Sequence, residues 1–279
     1  MIKTNYHTHT TFCDGKNSVE EMAKAAIARG FDILGFSSHS MCTFSTEWHL
    51  PVRFHSEYAA EVRRVQHIFA DKISIQLGFE SDYLYALNTP QKSRYAAFKP
   101  DYLIGAVHYV MNENGAFAVD ESADSLQQNI QRVFGGNVRE VVHQYFENER
   151  EMLKKGDFDI IAHADLIRKY NARLHLFDER STEYRAELKS LAECIARAGV
   201  IAEVNTGGIA RGCTSEPYPS PELLSLLFER GVPVTINSDA HRCEHLDFWF
   251  DEAMSYIKKA GYKTIAYLES SEIKFQKIN

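Results

Sequence analysis

The chain has 279 residues, 44% of them hydrophobic and 25% charged, with a formal net charge of -7. These values fit an ordinary globular protein and exclude a membrane-spanning class, since no apolar run is long enough to cross a bilayer; the acidic total disfavours a broad nucleic-acid surface. The first residues lack the basic and apolar segments of a signal peptide, which leads to an expected cytoplasmic location, and five cysteines (Cys13, Cys42, Cys194, Cys213, Cys243) without a CxxC pair argue against a disulfide framework or a cysteine zinc knuckle.

The first apolar segment, Ile2–His9, ends in His-x-His and is followed closely by Asp14 and Gly15. "SVEEMAKAAIARG" then predicts a helix, with Ser18 and Glu21 spaced as a capping box and Gly30 as the stop. The second segment, Asp32–His39, leads into an excursion at 41–54 that carries Phe44, Trp48 and His49. Ile73–Glu80 follows, then an excursion at 81–99, then Tyr102–His108. The longest excursion, 109–158, reads as helical for much of its length and contains Glu113, Phe117 and Asp120. Asp159–His163 precedes Arg168 and the helix "STEYRAELKSLAECIARAG"; Val200–Asn205 precedes Arg211 and the helix "SPELLSLLFERG". Val234–Asp239 is the seventh segment, with His241 just beyond it, and the terminal stretches "TIAYL" and "IKFQKI" read as either a short hairpin or an edge strand.

Segments such as "YLIGAVH" and "VIAEVN" are continuously apolar, as parallel strands buried on both faces are. Repeated βα units predict a parallel sheet, most economically closed as a barrel, and without a low-complexity linker residues 1–279 are expected to form a single domain. In an α/β barrel the carboxyl ends of the strands converge on one face. Here those ends carry His7 and His9, His39, Glu80, His108, His163, and Asp239 with His241; only the sixth, at Asn205, lacks a strong ligand. Imidazole nitrogen and carboxylate oxygen are the donors that zinc, iron and manganese accept. A single histidine at a strand end is more often just hydrogen-bonded. Six histidines and two carboxylates at the ends of six of seven segments instead point to a metal centre. His55, His67, His143, His175 and His245 lie in helical or loop stretches and His49 in the first excursion, where solvated or packing roles are expected.

In this order, "YHTHTTFCDG", "SSHS", "GFE", "GAVH", "IAHADL" and "NSDAH" resemble the motif series of the PHP (polymerase and histidinol phosphatase) superfamily across nearly the whole chain. "VHYV" followed by "FAVD", together with "HADLIRKY", is most similar to the histidinol-phosphate phosphatase branch. The resemblance implies an α/β fold, a distorted (βα)7 TIM-like barrel with its metal site at the C-terminal ends of the strands. It also implies three divalent ions, of zinc, manganese or iron: one held by His7, His9, Glu80 and Asp239, a second by Glu80, His108 and His163, and a third by Asp14, His39 and His241. Asp14 stands where relatives often have histidine.

The activity implied is hydrolysis of the small phosphorylated substrate L-histidinol phosphate, with no nucleic-acid or membrane partner. Another small phosphate such as a nucleotide, or amidohydrolase-like C–N hydrolysis, is the alternative. A phosphate monoester is a dianion that repels hydroxide, so paired metals that neutralise charge and acidify a water between them suit it. Glu80 would bridge two ions, and Asp239, His241 or a metal-bound water would protonate the leaving oxygen. Arg168 and Arg211 follow strand ends where guanidinium forks can grip phosphate oxygens, with surface ion pairing as the bland alternative, and Asn205 is a further substrate-side candidate. Trp48, Phe44 and Phe117 are candidates to cover an apolar or imidazole ring, and Glu113 or Asp120 to meet a substrate ammonium, each of them equally readable as loop packing.

Overall fold

The computed structural model describes residues 1–40, 46–269 and 271–278. Its parallel strands follow the sequence-predicted order. Thr4–Asn5, Ile33–Phe36 and Ser74–Leu77 form a three-stranded sheet. A six-stranded sheet runs Val234–Asn237, Ile201–Asn205, Ile160–Ile161, Ile104–Ala106, Glu80–Asp82, His39–Ser40. The second and third segments contribute to both sheets, because each breaks after a few residues and resumes as a new strand. Single hydrogen bonds carry the connection across those breaks: Gly78 N–H donates to Phe36 O at 2.8 Å and Ile104 N–H to Phe79 O at 2.9 Å. On the far side an isolated parallel bridge, Thr8 with Ala240, joins the seventh segment to the first. The neighbour order is therefore that of the expected (βα)7 arrangement, with ladders that are interrupted instead of running continuously round a closed barrel.

The helices form where their caps predict. Ser18 Oγ accepts from Glu21 N–H at 3.3 Å while Glu21 Oε2 accepts from Ser18 N–H at 2.8 Å, completing the capping box of Val19–Ala28. Ser181 caps Thr182–Ala198, and Ser220 with Pro221 opens Pro221–Glu229. The apolar faces of these helices and of His55–Ile68, Ala123–Phe134, Val138–Lys155 and Phe250–Lys259 join one buried cluster outside the strands, through Met22, Val62, Ile130, Tyr145, Leu191, Leu224 and Ile257. The excursion at 109–158 holds an antiparallel hairpin, Tyr109–Asn112 with Gly115–Ala118, before its two helices.

A second buried cluster fills the ring itself: Tyr6, Ile33, Tyr102, Ile104, Ile160, Ile201, Ala266 and Leu268. The terminal stretch is a hairpin, Thr264–Glu269 with Glu272–Lys277. It packs under the residues that open the strands, and Tyr6 Oη both donates to Leu268 O at 3.1 Å and accepts from Leu268 N–H at 2.8 Å. Tyr102 crosses the interior where the third and second segments carry glycine. A Cβ on Gly35 or Gly78 would lie 2.3 Å from the phenol. Gly78→Ala is therefore expected to destabilise the protein by about 1–3 kcal/mol in denaturant unfolding, as overpacking does. Pairing it with Tyr102→Leu should remove most of that increment; an equal loss in both backgrounds would contradict the steric account.

Candidate metal centre

Side chains two residues apart on an extended chain share a face. This puts His7 with His9 and Glu80 with Asp82 on common sides at the strand ends. Beyond His9 the chain turns back on itself, with Cys13 N–H and Gly15 N–H both donating to Thr10 O at 3.0 Å, and so presents Asp14 to His241. Asp239 has φ of 48°, a left-handed conformation uncommon for residues with a Cβ and one that surrounding structure must hold in place. Arg211 holds it: Nη2 donates to Asp239 Oδ2 at 2.8 Å and Nη1 to Asp239 O at 3.0 Å.

The site converges on Glu80, which is 0% exposed. Its Oε2 lies 2.7 Å from His39 Nδ1, 3.1 Å from His7 Nε2 and 3.6 Å from His9 Nε2. Its Oε1 lies 3.2 Å from His163 Nε2 and 3.6 Å from His108 Nε2. Asp239 Oδ1 approaches His9 Nε2 at 3.2 Å and His7 Nε2 at 3.7 Å, and Asp14 Oδ2 meets His241 Nε2 at 3.0 Å. Despite these separations His7 Nε2, His9 Nε2, His39 Nδ1, Asp14 Oδ1 and Glu80 Oε2 make no hydrogen bond among the described residues. Polar atoms brought this close without bonding one another are disposed as ligands around a cation are. Such orphaned polar atoms are expensive when buried.

Among the described residues, four groups have ligand atoms within 4.8 Å of one another: His7, His9 and Asp239; His7, Glu80 and His163; His39, Glu80 and His108; and His9, Asp14, His39 and His241. Every metal-ligand candidate from the sequence lies in at least one of them. The partition differs from the expected one: Glu80 is not grouped with His7, His9 and Asp239, the expected set of Glu80, His108 and His163 is split into one group with His7 and one with His39, and His9 also joins the Asp14 group. A set of nitrogen and oxygen donors without sulfur fits divalent metal ions. Burial pushes the His9 imidazole down to about 3, with His241 and His39 adding to the effect, which leaves a neutral ring able to donate a lone pair. Glu80 and Asp239 are pushed up by burial, yet His39 and His7 around the first, and Arg211 and His7 around the second, outweigh it and hold both well below the usual carboxylate range.

A cavity of about 280 Å³ opens on this cluster and is lined also by Trp48, Asp120, Glu121, Lys169 and Arg211. Arg168 does not line it. Its guanidinium donates to Glu216 Oε2 at 2.7 Å, Glu179 Oε2 at 3.2 Å and Pro217 O at 3.1 Å, and so fastens two loops together. The cation that this segment turns inward is Lys169, whose Nζ donates to Asp120 O at 2.8 Å and Asp120 Oδ2 at 3.2 Å. Asn205 lies beneath the site, donating to Glu203 Oε1 at 2.7 Å and accepting from Gly207 N–H at 2.8 Å. Glu113 is exposed in the turn of the 109–118 hairpin, and Phe117 packs on Phe134 at 5.9 Å. Phe44 lies outside the described residues. His49, expected in a packing role, is hydrogen-bonded to Asp82.

Sequence reasoning missed Glu203, in the middle of the sixth strand. It accepts from His7 Nδ1–H at 2.9 Å, His163 N–H at 2.8 Å and Asn237 Nδ2–H at 2.9 Å, fixing His7 with Nε2 aimed at Glu80. The available signal was a carboxylate inside the apolar run "VIAEVN", since a buried charge requires partners.

A sequence model described as "PHP domain" matches residues 5–207. The chain belongs to the PHP domain family. A probable histidinol-phosphatase of Deinococcus radiodurans is 29% identical over 264 residues, covering 94% of this chain and 95% of that protein. A probable histidinol-phosphatase of Schizosaccharomyces pombe is 27% identical, covering 94% and 88%. Among solved structures, the histidinol phosphate phosphatase of Lactococcus lactis complexed with zinc, L-histidinol and phosphate superposes with a TM-score of 0.75 at 22% identity, covering 98% of each chain.

Beneath the PHP site, Tyr145 Oη donates to Glu149 Oε1 at 2.9 Å and accepts from Leu166 N–H at 3.1 Å, which secures the turn after His163. Burial holds the Glu149 carboxyl well above its ordinary value, and nearby Asp165 pushes the same way. The native state therefore keeps a proton that the unfolded chain releases near its ordinary pKa of about 4.3, so this group lowers stability as pH rises above that value. Glu149→Gln, which keeps the acceptor for Tyr145, is expected to unfold at a higher temperature than wild type at about pH 8, with the gap closing toward about pH 4. A gap independent of pH would show that Glu149 is ionised in the native state.

Proposed function

We propose that this chain is a metal-dependent phosphomonoesterase that converts L-histidinol phosphate to L-histidinol and phosphate, with residues 1–279 acting as one catalytic domain. The observation that carries this reading is a small cavity lined by a cluster of imidazoles and carboxylates together with two cations, Lys169 and Arg211. That pairing suits a dianionic phosphoryl group, and a C–N hydrolase has no need of the two cations. The Deinococcus and Schizosaccharomyces relatives, matched over nearly their full lengths, support the same substrate. About 280 Å³ also favours a compact phosphate with one small ring over a nucleotide.

Three divalent ions of zinc, manganese or iron would be held by His7, His9, Glu80 and Asp239, by Glu80, His108 and His163, and by Asp14, His39 and His241, with His9 and His39 close enough to be shared. Bound together, such ions neutralise the phosphoryl dianion and make water acidic enough to supply a nucleophile at neutral pH. Glu80 keeps two groups of ligands in register because its two oxygens face different imidazoles. Arg211 fixes Asp239 and lies 3.2 Å from His241 Nδ1, which keeps the His241 ring in place with Nε2 turned toward Asp14. Lys169 presents an ammonium to the phosphoryl oxygens, Asp120 and Glu121 to the substrate ammonium, and Trp48 a face to its imidazole. Among the described residues no helix is long and apolar enough to cross a membrane. The enzyme is proposed to act in the cytoplasm on a free small molecule.

Phosphate release from metal-replete protein should favour L-histidinol phosphate over nucleoside monophosphates by on the order of a hundredfold in kcat/KM, with no amide hydrolysis. Lys169→Ala should lower kcat/KM on the order of tenfold to a thousandfold, whereas Arg168→Ala should leave it within about threefold and lower the unfolding temperature. Equal turnover of nucleotides, or the reverse ordering of the two variants, would overturn the assignment.

A further inference from the structure

Asp82 is 1% exposed and takes no part in the four ligand groups, yet both of its oxygens are used by imidazoles. Oδ1 pairs with His108 Nδ1 and Oδ2 with His49 Nε2. The two histidines come from different parts of the chain. His108 closes the fourth segment and turns its other nitrogen toward Glu80 Oε1. His49 belongs to the excursion after the second segment, where its Nδ1 pairs with Thr46 Oγ1 and its N–H donates to the same oxygen at 3.2 Å. Its ring packs on Trp48, with centroids 3.7 Å apart. Trp48 in turn lies edge-to-face with His39 at 4.7 Å and His108 at 5.2 Å and stacks on Tyr109 at 5.7 Å, forming a wall of the cavity.

The protons can be placed without leaving a conflict. A His108 that offers Nε2 to a cation must carry its proton on Nδ1, and that N–H donates to Asp82. The second carboxylate oxygen then accepts the Nε2–H of His49, whose bare Nδ1 accepts the hydroxyl proton of Thr46. Both rings stay neutral and the single negative charge of Asp82 is shared between two donors. Asparagine at this position could accept from only one ring, because its amide nitrogen would face the N–H of the other.

We infer that Asp82 is a positioning residue that ties the cation-binding cluster to the segment bearing Trp48, so that the ligand His108 and the cavity wall at 46–49 are held by one carboxylate. The inference rests on the proposed function only in taking the imidazole cluster to bind cations. The wall on which the substrate ring would rest is thus set by the same group that fixes a metal ligand, and the segment bearing Trp48 is linked through it to the strand core.

The test uses the full chain with Trp249→Phe, which leaves Trp48 as the sole reporter of the two tryptophans. Zinc affinity is read by competition with a chromophoric chelator, and Trp48 exposure by acrylamide quenching of its emission. Asp82→Asn is expected to weaken zinc binding on the order of tenfold to a hundredfold and to raise the quenching constant of Trp48 about twofold or more. His49→Phe, which keeps an aromatic ring against Trp48 but removes the N–H, should raise the quenching constant similarly while zinc affinity stays within about threefold. A general loosening of the fold would instead move both readouts together in both variants, and so would contradict the proposal. Wild-type zinc affinity and quenching in Asp82→Asn would overturn it, as would an unchanged Trp48 in His49→Phe, which decides the matter if Asp82→Asn fails to fold. Should the parent protein bind no zinc, the metal reading fails, and the quenching comparison still tests the link from Asp82 to the wall.

Discussion

The structure depends on one buried carboxylate. Glu80 is shut off from solvent with five imidazoles around its two oxygens, and several of the nearby lone pairs find no hydrogen-bond donor among the described residues. Left as it stands, such a set of desolvated acceptors would destabilise the fold by several kcal/mol, on the order of the whole net stability of a domain. Divalent cations reverse the sign of that contribution, because each deprotonated carboxylate and neutral imidazole then faces positive charge. Metal binding and folding of the site are in this sense one process.

The geometry of the strands follows from the same requirement. An uninterrupted ladder would fix the ends of all seven segments in a regular ring. Here the second and third segments break and resume, so that His39 and Glu80 begin new short strands paired directly with each other. At the opposite side Thr8 meets Ala240 through a single bridge, and Asp239 adopts a left-handed backbone under the grip of Arg211. Regularity is given up at the ends that carry the imidazole and carboxylate cluster and kept at the other end, where Tyr102, the isoleucines and the terminal hairpin pack as an ordinary core.

What could be read from the sequence divides along the same line. The strand order and the cluster of imidazoles and carboxylates were legible because the βα period repeats and because histidine at the end of segment after segment is a rare coincidence without a shared purpose. His7, His9, Glu80, His108, His163 and Asp239 could be named for that reason. The supporting residues were not, because they sit at positions with no periodic signature: Glu203 within an apolar strand, Asp82 one pleat past Glu80, and His49 in an irregular excursion. Arg168 and Lys169 show the limit most sharply. They are adjacent, and both are cations after a strand end. A short helical turn at Leu166–Arg168 decides which one reaches the cavity, and no local propensity encodes that choice.

The most direct measurement of this account is the metal dependence of folding and turnover in the same sample. Protein stripped with a chelator should unfold at a markedly lower temperature and release no phosphate from L-histidinol phosphate, and stoichiometric zinc or manganese should restore both together. Full turnover by protein shown to be metal-free by elemental analysis would contradict it.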